Sequence, residues 1–200
     1  MVEFFFTPEQ RIRAYEEGLR RQAINRAKAL QGRNRAPVDG PEAQAMHLLG
    51  AAGEMAVAVY LGMEEHLYEH ELPVRGSCDL PGIDVKTRKK HWYDLPIQLD
   101  DDSNKIFVLV TIQDKRTFIH GWITGTEGMQ VDWVQSFCKG RPCYAVPKHK
   151  LHPIEELKCQ LAVASTEKTV GSHGKEKTLD RKSTRLNSSH SQQSRMPSSA

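Results

Sequence analysis

The chain has 200 residues, 38% of them hydrophobic and 26% charged, and its 28 Lys and Arg against 25 Asp and Glu give a formal charge of +3. No apolar run nears the roughly 18 residues of a membrane span, four cysteines are too few for a disulfide scaffold of this length, and no period suggests a solenoid. The profile fits one soluble α/β (α+β) domain able to bury a real core. Its mild basic excess points to nucleic acid only if it can be located along the chain.

Locating it removes it. From Asp180 the sequence reads DRKSTRLNSSH and then SQQSRMPSSA, a Ser/Arg stretch with almost nothing apolar to bury. It resembles the translation of a sequencing-library adapter, so residues 180–200 are read as a read-through artefact outside the fold. Residues 1–179 then carry 24 basic and 24 acidic side chains. The expected organisation is a basic amphipathic helix and linker over 1–40, a core domain over 41–161, a disordered tail over 162–179 and the adapter-like segment beyond.

Taken in chain order, Met1–Phe6 is a short apolar run with an acid in it, unlike a signal peptide, which predicts a cytoplasmic protein. Thr7-Pro8-Glu9-Gln10 has the form of a capping box with Pro at the first helical position. The repeat of Ile12, Tyr15, Leu19, Ala23, Ala27 and Leu30 predicts a helix to about Leu30 with that stripe as its buried face. Arg11, Arg13, Arg20, Arg21, Arg26 and Lys28 would form its wet side, with DNA contact as the alternative. After a polar linker over 31–40, a second helix is predicted from Pro41 to Gly62. It is apolar nearly all round, and Gly50 and Gly53 are costly there unless a sheet approaches closely. Glu54 is a lone acid in that apolar stretch and needs a partner or a task.

Strands are predicted at 67–74, 83–87, 96–99, 106–112 (IFVLVTI, continuous enough for a central strand covered on both faces), 117–124 and 144–146. The polar turn 113–116 makes a hairpin of two of them. Met129–Phe137 reads as a helix and Ile154–Leu161 as a short closing one, with 168–179 polar and without a fold signal.

The chemistry concentrates in Cys78-Asp79-Leu80-Pro81-Gly82-Ile83-Asp84-Val85-Lys86-Thr87. A Pro-Gly turn lets Asp79 fold back beside Asp84. In a strand, spacing two puts Asp84 and Lys86 on one face and Ile83 and Val85 on the other. Two convergent carboxylates disfavour joint ionisation unless a cation lies between them, and hard oxygen ligands suit Mg²⁺ (or Mn²⁺). An acid two residues before a lysine is common by chance, and Glu156 and Lys158 also match. Only Asp84 and Lys86 add strand context, an upstream acid, and a preceding apolar helix with an acid.

The order GEMAVAVYLG, GSCDLPGIDVKT, then an apolar strand resembles the PD-(D/E)XK nuclease superfamily over roughly residues 44–158. FIHGWITG and CYAVPKHKLHPIEEL read like its small phage-type members. The resemblance implies a restriction-endonuclease-like core, a mixed sheet of four to five strands flanked by helices, behind an N-terminal helical arm. It implies Asp79, Asp84, the Val85 carbonyl and Glu54 as metal ligands, and Lys86 as the residue handling the attacking water or the phosphate. The implied activity is Mg²⁺-dependent hydrolysis of DNA, double-stranded or branched, in the cytoplasm of a phage-infected or prophage-bearing cell. A second copy of the chain is a further expected partner. The chain departs from the pattern in having Cys78 before Asp79 and a short gap to Asp84. A catalytically silent DNA-binding member of the same fold is therefore the alternative.

Arg88-Lys89-Lys90-His91-Trp92-Tyr93 continues directly from this strand. Its cations can track phosphates while Trp92 and Tyr93 stack on bases; a solvated loop anchored by its rings is the plainer reading. Gln98 could bond substrate or cap a sheet edge. Cys138, Cys143, His149 and His152 invite a zinc-stabilised structural reading, although their spacing is unlike a finger. Cys78 and Cys159 read as packed reduced thiols, His120 as a strand-face histidine, and Trp122 and Trp133 as core.

Overall fold

The computed structural model describes residues 1–27, 40–68, 77–138 and 141–170, and in it the apolar runs fold into two sheets with helices on one side. The first sheet is mixed, ordered β1-β5-β4-β2 from β1 (Val2–Phe4), β5 (Arg116–Thr124), β4 (Ile106–Gln113) and β2 (Ile83–Arg88). β2 runs parallel to β4, while β4–β5 and β5–β1 are antiparallel. The second sheet is antiparallel, ordered β3-β7-β6 from β3 (Leu95–Gln98), β7 (Arg141–Val146) and β6 (Val134–Cys138). The mixed sheet thus has four strands, within the expected four to five, and the separate three-stranded antiparallel sheet was not expected.

β4 is the central strand that its apolar run predicts, with Phe107 to Thr111 fully buried. Its two faces serve different cores. Val108 and Val110 pack with Ile83, Val85, Met55 and Val57 under the helices, and Phe107 and Leu109 pack with Leu95, Ile97 and Val146 under the second sheet. The β4–β5 hairpin turns at Asp114 and Lys115, both at positive φ (53° and 64°), as a tight hairpin turn requires.

α1 (Pro8–Ala27) starts at the expected capping box. Thr7 N–H donates to Gln10 Oε1 at 2.9 Å and Gln10 N–H to Thr7 Oγ1 at 3.3 Å. Its buried face is the wrong one for the apolar stripe, however. Ala14, Glu17, Gly18 and Gln22 are buried, whereas Ile12 and Tyr15 stay 58% and 53% exposed. Small residues decide this: a Cβ on Gly18 would stand 2.7 Å from Leu48 Cα, so α1 can lie against α2 only along that side. The helix expected as an arm therefore packs along α2, and β1, unforeseen as a strand, pairs with β5.

α2 (Pro41–Leu61) ends where predicted, with Gly62 left-handed at φ 75°. Gly53 lies directly over Thr87 of β2, where any Cβ would overlap the threonine side chain. Met129–Phe137 is not a helix. One turn, α3 (Gly125–Gly128), capped reciprocally by Thr124 and Glu127, precedes a short 3₁₀ turn (Val131–Trp133) and β6. Its β-branched and aromatic residues suit a strand paired to β7 better than a helix. α4 (Ile154–Val170) outruns the expected closing helix by nine residues, into the segment assigned to a tail. Of the strand expected at 67–74 only Leu67 and Tyr68 are described, in a turn; residues 171–200 lie outside the described part. Trp122 is buried and donates its indole N–H to Pro153 O, and Trp133 is partly buried against the second core.

Gly53→Ala should lower stability by roughly 1–3 kcal/mol through overpacking, whereas Gly50→Ala, whose Cβ meets only Glu54 Oε1 at 4.0 Å, should gain up to about 1 kcal/mol of helix propensity. Urea unfolding of both variants measures the contrast.

Candidate functional site

The Pro81-Gly82 turn works as read. Asp79 N–H and Leu80 N–H both donate to Ile83 O, and Gly82 takes φ 73°. The turn carries Asp79 back along β2, where Asp79 Oδ2 accepts from Val85 N–H at 2.7 Å. That N–H lies on the edge of β2 turned away from β4, and the carbonyl of the same residue shares that edge. Ile83 and Val85 point into the helix-side core, while Asp84 and Lys86 take the opposite face, in register with Phe107 and Leu109. Lys86 Nζ sits 2.8 Å from Asp84 Oδ1 and 3.2 Å from Asp101 Oδ2, with Phe107's ring 5.4 Å away.

Asp101 is the member the sequence reading missed. It stands in the loop after β3, where its Oδ2 also accepts from Gln98 N–H at 3.0 Å, and its side chain is only 5% exposed. Gln98 thus supplies its backbone N–H to the site. The run Asp100-Asp101-Asp102 was a signal, since three adjacent acids need a nearby cation, but nothing local says which of them meets Lys86.

Glu54 comes from the helix side. Arg21 of α1 grips it in a bidentate pair of 2.6 and 2.5 Å and also bonds Glu17 at 2.7 Å, which Arg20 bonds in turn. Tyr68 closes the cluster, its ring 5.5 Å from the Arg21 guanidinium and its hydroxyl donating to Ala51 O. Arg21, assigned to a wet face, is therefore the partner that Glu54 required.

These surroundings set the charges. Burial, then the charges of Glu54 and Asp84, push the Asp79 carboxyl well above its ordinary range, against the Val85 N–H and Lys86. Burial opposes the charge on Lys86, but Asp84 and Asp101 outweigh it and hold the ammonium more firmly protonated than usual. For the Glu54–Arg21 pair the pulls diverge. Burial raises Glu54, while Glu54 and Glu17 overcome burial to raise Arg21. The bidentate geometry favours the ionised pair, because a protonated carboxyl would leave the buried guanidinium short of an acceptor.

Among the described residues no group of three or more His, Cys, Asp and Glu stands ready to hold a metal ion. Lys86 and Arg21 occupy the oxygens of Asp84 and Glu54 that a cation would use. Carboxylate oxygens are nevertheless the donors a hard divalent cation takes, and the charge that Glu54 and Asp84 impose on the raised Asp79 carboxyl is of the kind that added positive charge relieves.

Past the site, Arg88 lies over the Tyr93 ring at 4.8 Å and Lys90 over Trp92 at 5.3 Å. Trp92 and Tyr93 are 56% and 40% exposed, so neither ring anchors the loop in the core. Lys89 is exposed beside them. Of the Cys/His cluster, Cys143 is buried in β7, His149 is exposed, and His152 bonds Glu127 at 3.2 Å with its ring against Trp122; the Cys138 side chain is outside the described part. Cys78 is half-buried, but Cys159 is exposed on α4 and so not a packed thiol. His120 bonds Thr111 on the strand face, as expected. Among the described residues no helix is long and apolar enough to cross a membrane. No family model, no curated protein and no solved structure matches the chain.

Arg21→Met should cost roughly 3–5 kcal/mol by leaving Glu54 buried and unpaired, and adding Glu54→Gln should recover most of it; denaturant unfolding of the two variants measures this. For Asp79 the sign is the reverse of an ordinary paired carboxylate. Its raised folded value means that the folded state binds the proton more tightly, so its penalty is absent below about pH 3.8 and grows as pH rises through the folded value. Asp79→Asn should therefore raise Tm at pH 7.5, with the gain vanishing in acid. Mg²⁺ should raise the Tm of the wild type and not of Asp79→Asn.

Proposed function

We propose that the chain is a metal-dependent nuclease that hydrolyses phosphodiester bonds in DNA. The observation that carries this reading is the half-buried ammonium of Lys86, bonded to Asp84 on one face of β2, beside the outer edge where Val85 N–H ties the raised carboxyl of Asp79. Acids and a lysine gathered this closely are costly to bury and contribute little to stability.

In this reading Asp79 and Asp84 hold Mg²⁺ or Mn²⁺, with the Val85 carbonyl and Glu54 as further oxygens. The bound ion supplies Lewis-acid activation of the phosphoryl oxygen. Lys86 stays protonated, so it donates: it orients the attacking water or contacts a phosphate oxygen rather than removing a proton. Asp101 fixes the Lys86 ammonium in place. Arg21 holds Glu54 in one rotamer. Arg88, Lys89 and Lys90 track the strand backbone while Trp92 and Tyr93 offer faces for bases.

One observation favours a second reading, a catalytically silent DNA-binding protein. Lys86 and Arg21 already neutralise Asp84 and Glu54, so the cluster can persist as structure alone. Purified protein incubated with plasmid, linear and branched DNA separates the two. Nucleolytic activity predicts cutting with Mg²⁺ and none with EDTA, lowered about a hundredfold or more in Asp84→Ala and Lys86→Ala. Asp101→Asn, which keeps an acceptor but loses the charge, should lose less. DNA shifted on a gel but never cut decides for the silent protein, and undiminished cutting by Asp84→Ala or Lys86→Ala overturns the site assignment.

A further inference from the structure

A cavity of about 700 Å³ opens at the other end of the first sheet, where the β4–β5 hairpin meets the 3₁₀ turn Lys148–Lys150. Its wall carries His91, Arg116, His120, Lys148 and His149, and Phe118, Leu151 and Pro153 give it an apolar side. The volume lies in the range that small-molecule sites occupy, roughly 300–1,000 Å³. From Phe107, opposite Asp84, to Gln113 at the cavity is six residues of β4, or about 20 Å at strand rise. The cavity is thus separate from the acidic cluster.

Its polar wall is one-sided. Asp114 is the one acid among the lining residues, and its Oδ2 accepts from Gln113 Nε2 at 3.1 Å. Arg116 is already held by Glu3 through bonds of 2.7 and 2.9 Å. No ion pair is formed by the Lys148 ammonium among the described residues: it donates to the backbone oxygen of His91, while Asp94 Oδ1 accepts from the Lys148 backbone N–H at 3.3 Å. His120 is pushed down to about 4, first by burial and then by neighbouring positive charge that includes Lys148 and His91. Its imidazole is neutral and can bond an anion without titrating. A compact ammonium suits a phosphate, with His149 exposed beside it, and the apolar side suits a flat ring; His91 Nδ1 and His120 Nε2 are bonded to Gln113 and Thr111. The wall shares His91 with the basic, aromatic loop.

We propose that this cavity binds the phosphate of a nucleotide unit, either free or at the end of a strand, with Lys148 as the main electrostatic contact. The site stands whether or not the acidic cluster cuts DNA.

Calorimetric titration of the full chain in EDTA tests it with dAMP, deoxyadenosine, and a short single-stranded oligonucleotide with or without a 5′-phosphate. The expected result is saturable binding of dAMP to one site per chain and none of deoxyadenosine. Lys148→Gln should weaken it about tenfold or more, Lys148→Arg should retain it, and His149→Ala should weaken it less. If dAMP does not bind but the 5′-phosphate strengthens oligonucleotide binding in a Lys148-dependent way, the ligand is a strand terminus. Unchanged affinity in folded Lys148→Gln, deoxyadenosine binding as tightly as dAMP, or no phosphate-dependent binding at all would overturn the site. Asp79→Asn should bind dAMP like the wild type, so loss of nuclease activity and loss of this site are read separately.

Discussion

Burying carboxylates between a helix and a strand edge is the constraint on which the rest of this structure depends. Glu17, Glu54, Asp79, Asp84 and Asp101 come within reach of two principal cations, Arg21 and Lys86. Apolar packing cannot satisfy such groups, so each must find a donor or give up its charge. Four are satisfied by ion pairs. Asp79 has one backbone N–H and a raised carboxyl, which makes it the least settled group in the cluster. The most frustrated member also lies on the outer edge of β2, the side of the described sheet not closed by another strand.

Close helix packing makes those ion pairs possible. Gly18 lets α1 approach Leu48, and Gly53 lets α2 approach Thr87, so Arg21, Glu54 and the β2 edge fall into line across three elements. A larger residue at Gly18 would push α1 outward and separate Arg21 from Glu54, and one at Gly53 would push α2 off β2 and separate Glu54 from the strand edge. Packing in this region therefore serves charge placement as much as apolar burial, which is why the buried face of α1 contains Glu17 and Gln22 while Ile12 and Tyr15 stay outside.

That inversion shows what was legible in the sequence. Short-range signals were readable: the Thr7–Gln10 cap, the end of α2 before Gly62, the alternation through β2, and the fully buried run of β4 each depend on neighbours within a few residues. The same reasoning that made Gly53 a contact with a sheet applied equally to Gly18, and applying it would have turned α1 to its true face. Counting apolar residues pointed the other way, because Ala14 and Gly18 are too small to register in a hydrophobic stripe. Asp79, Asp84, Lys86 and Glu54 could be named from spacing and context, whereas Arg21 and Asp101 could not, since their partners lie 33 and 15 residues away along the chain. β6 was misread because its strand character comes from pairing with β7 rather than from local periodicity.

Charge balance follows the same logic of placement over quantity. Residues 1–179 carry equal numbers of acids and bases, which by count gives no reason to expect a polyanion as partner. Along β2 and β4, however, the two signs are separated. Asp79 and Asp84 stand near the start of β2, and Arg88, Lys89 and Lys90 follow at its end, toward Lys148. Exposed charges are largely screened beyond about 8 Å at physiological ionic strength, and Asp84 and Arg88 stand four residues apart on β2, about 13 Å at strand rise. Glu54, Asp84 and Asp101 are moreover paired with Arg21 and Lys86, which reduces the field they exert at the basic end. At the acidic end the carboxylates are screened much less, so Asp84 and Asp101 hold Lys86 protonated. A charge-balanced segment can in this way carry a basic loop and an acid cluster along one strand, and a count over residues 1–179 describes neither.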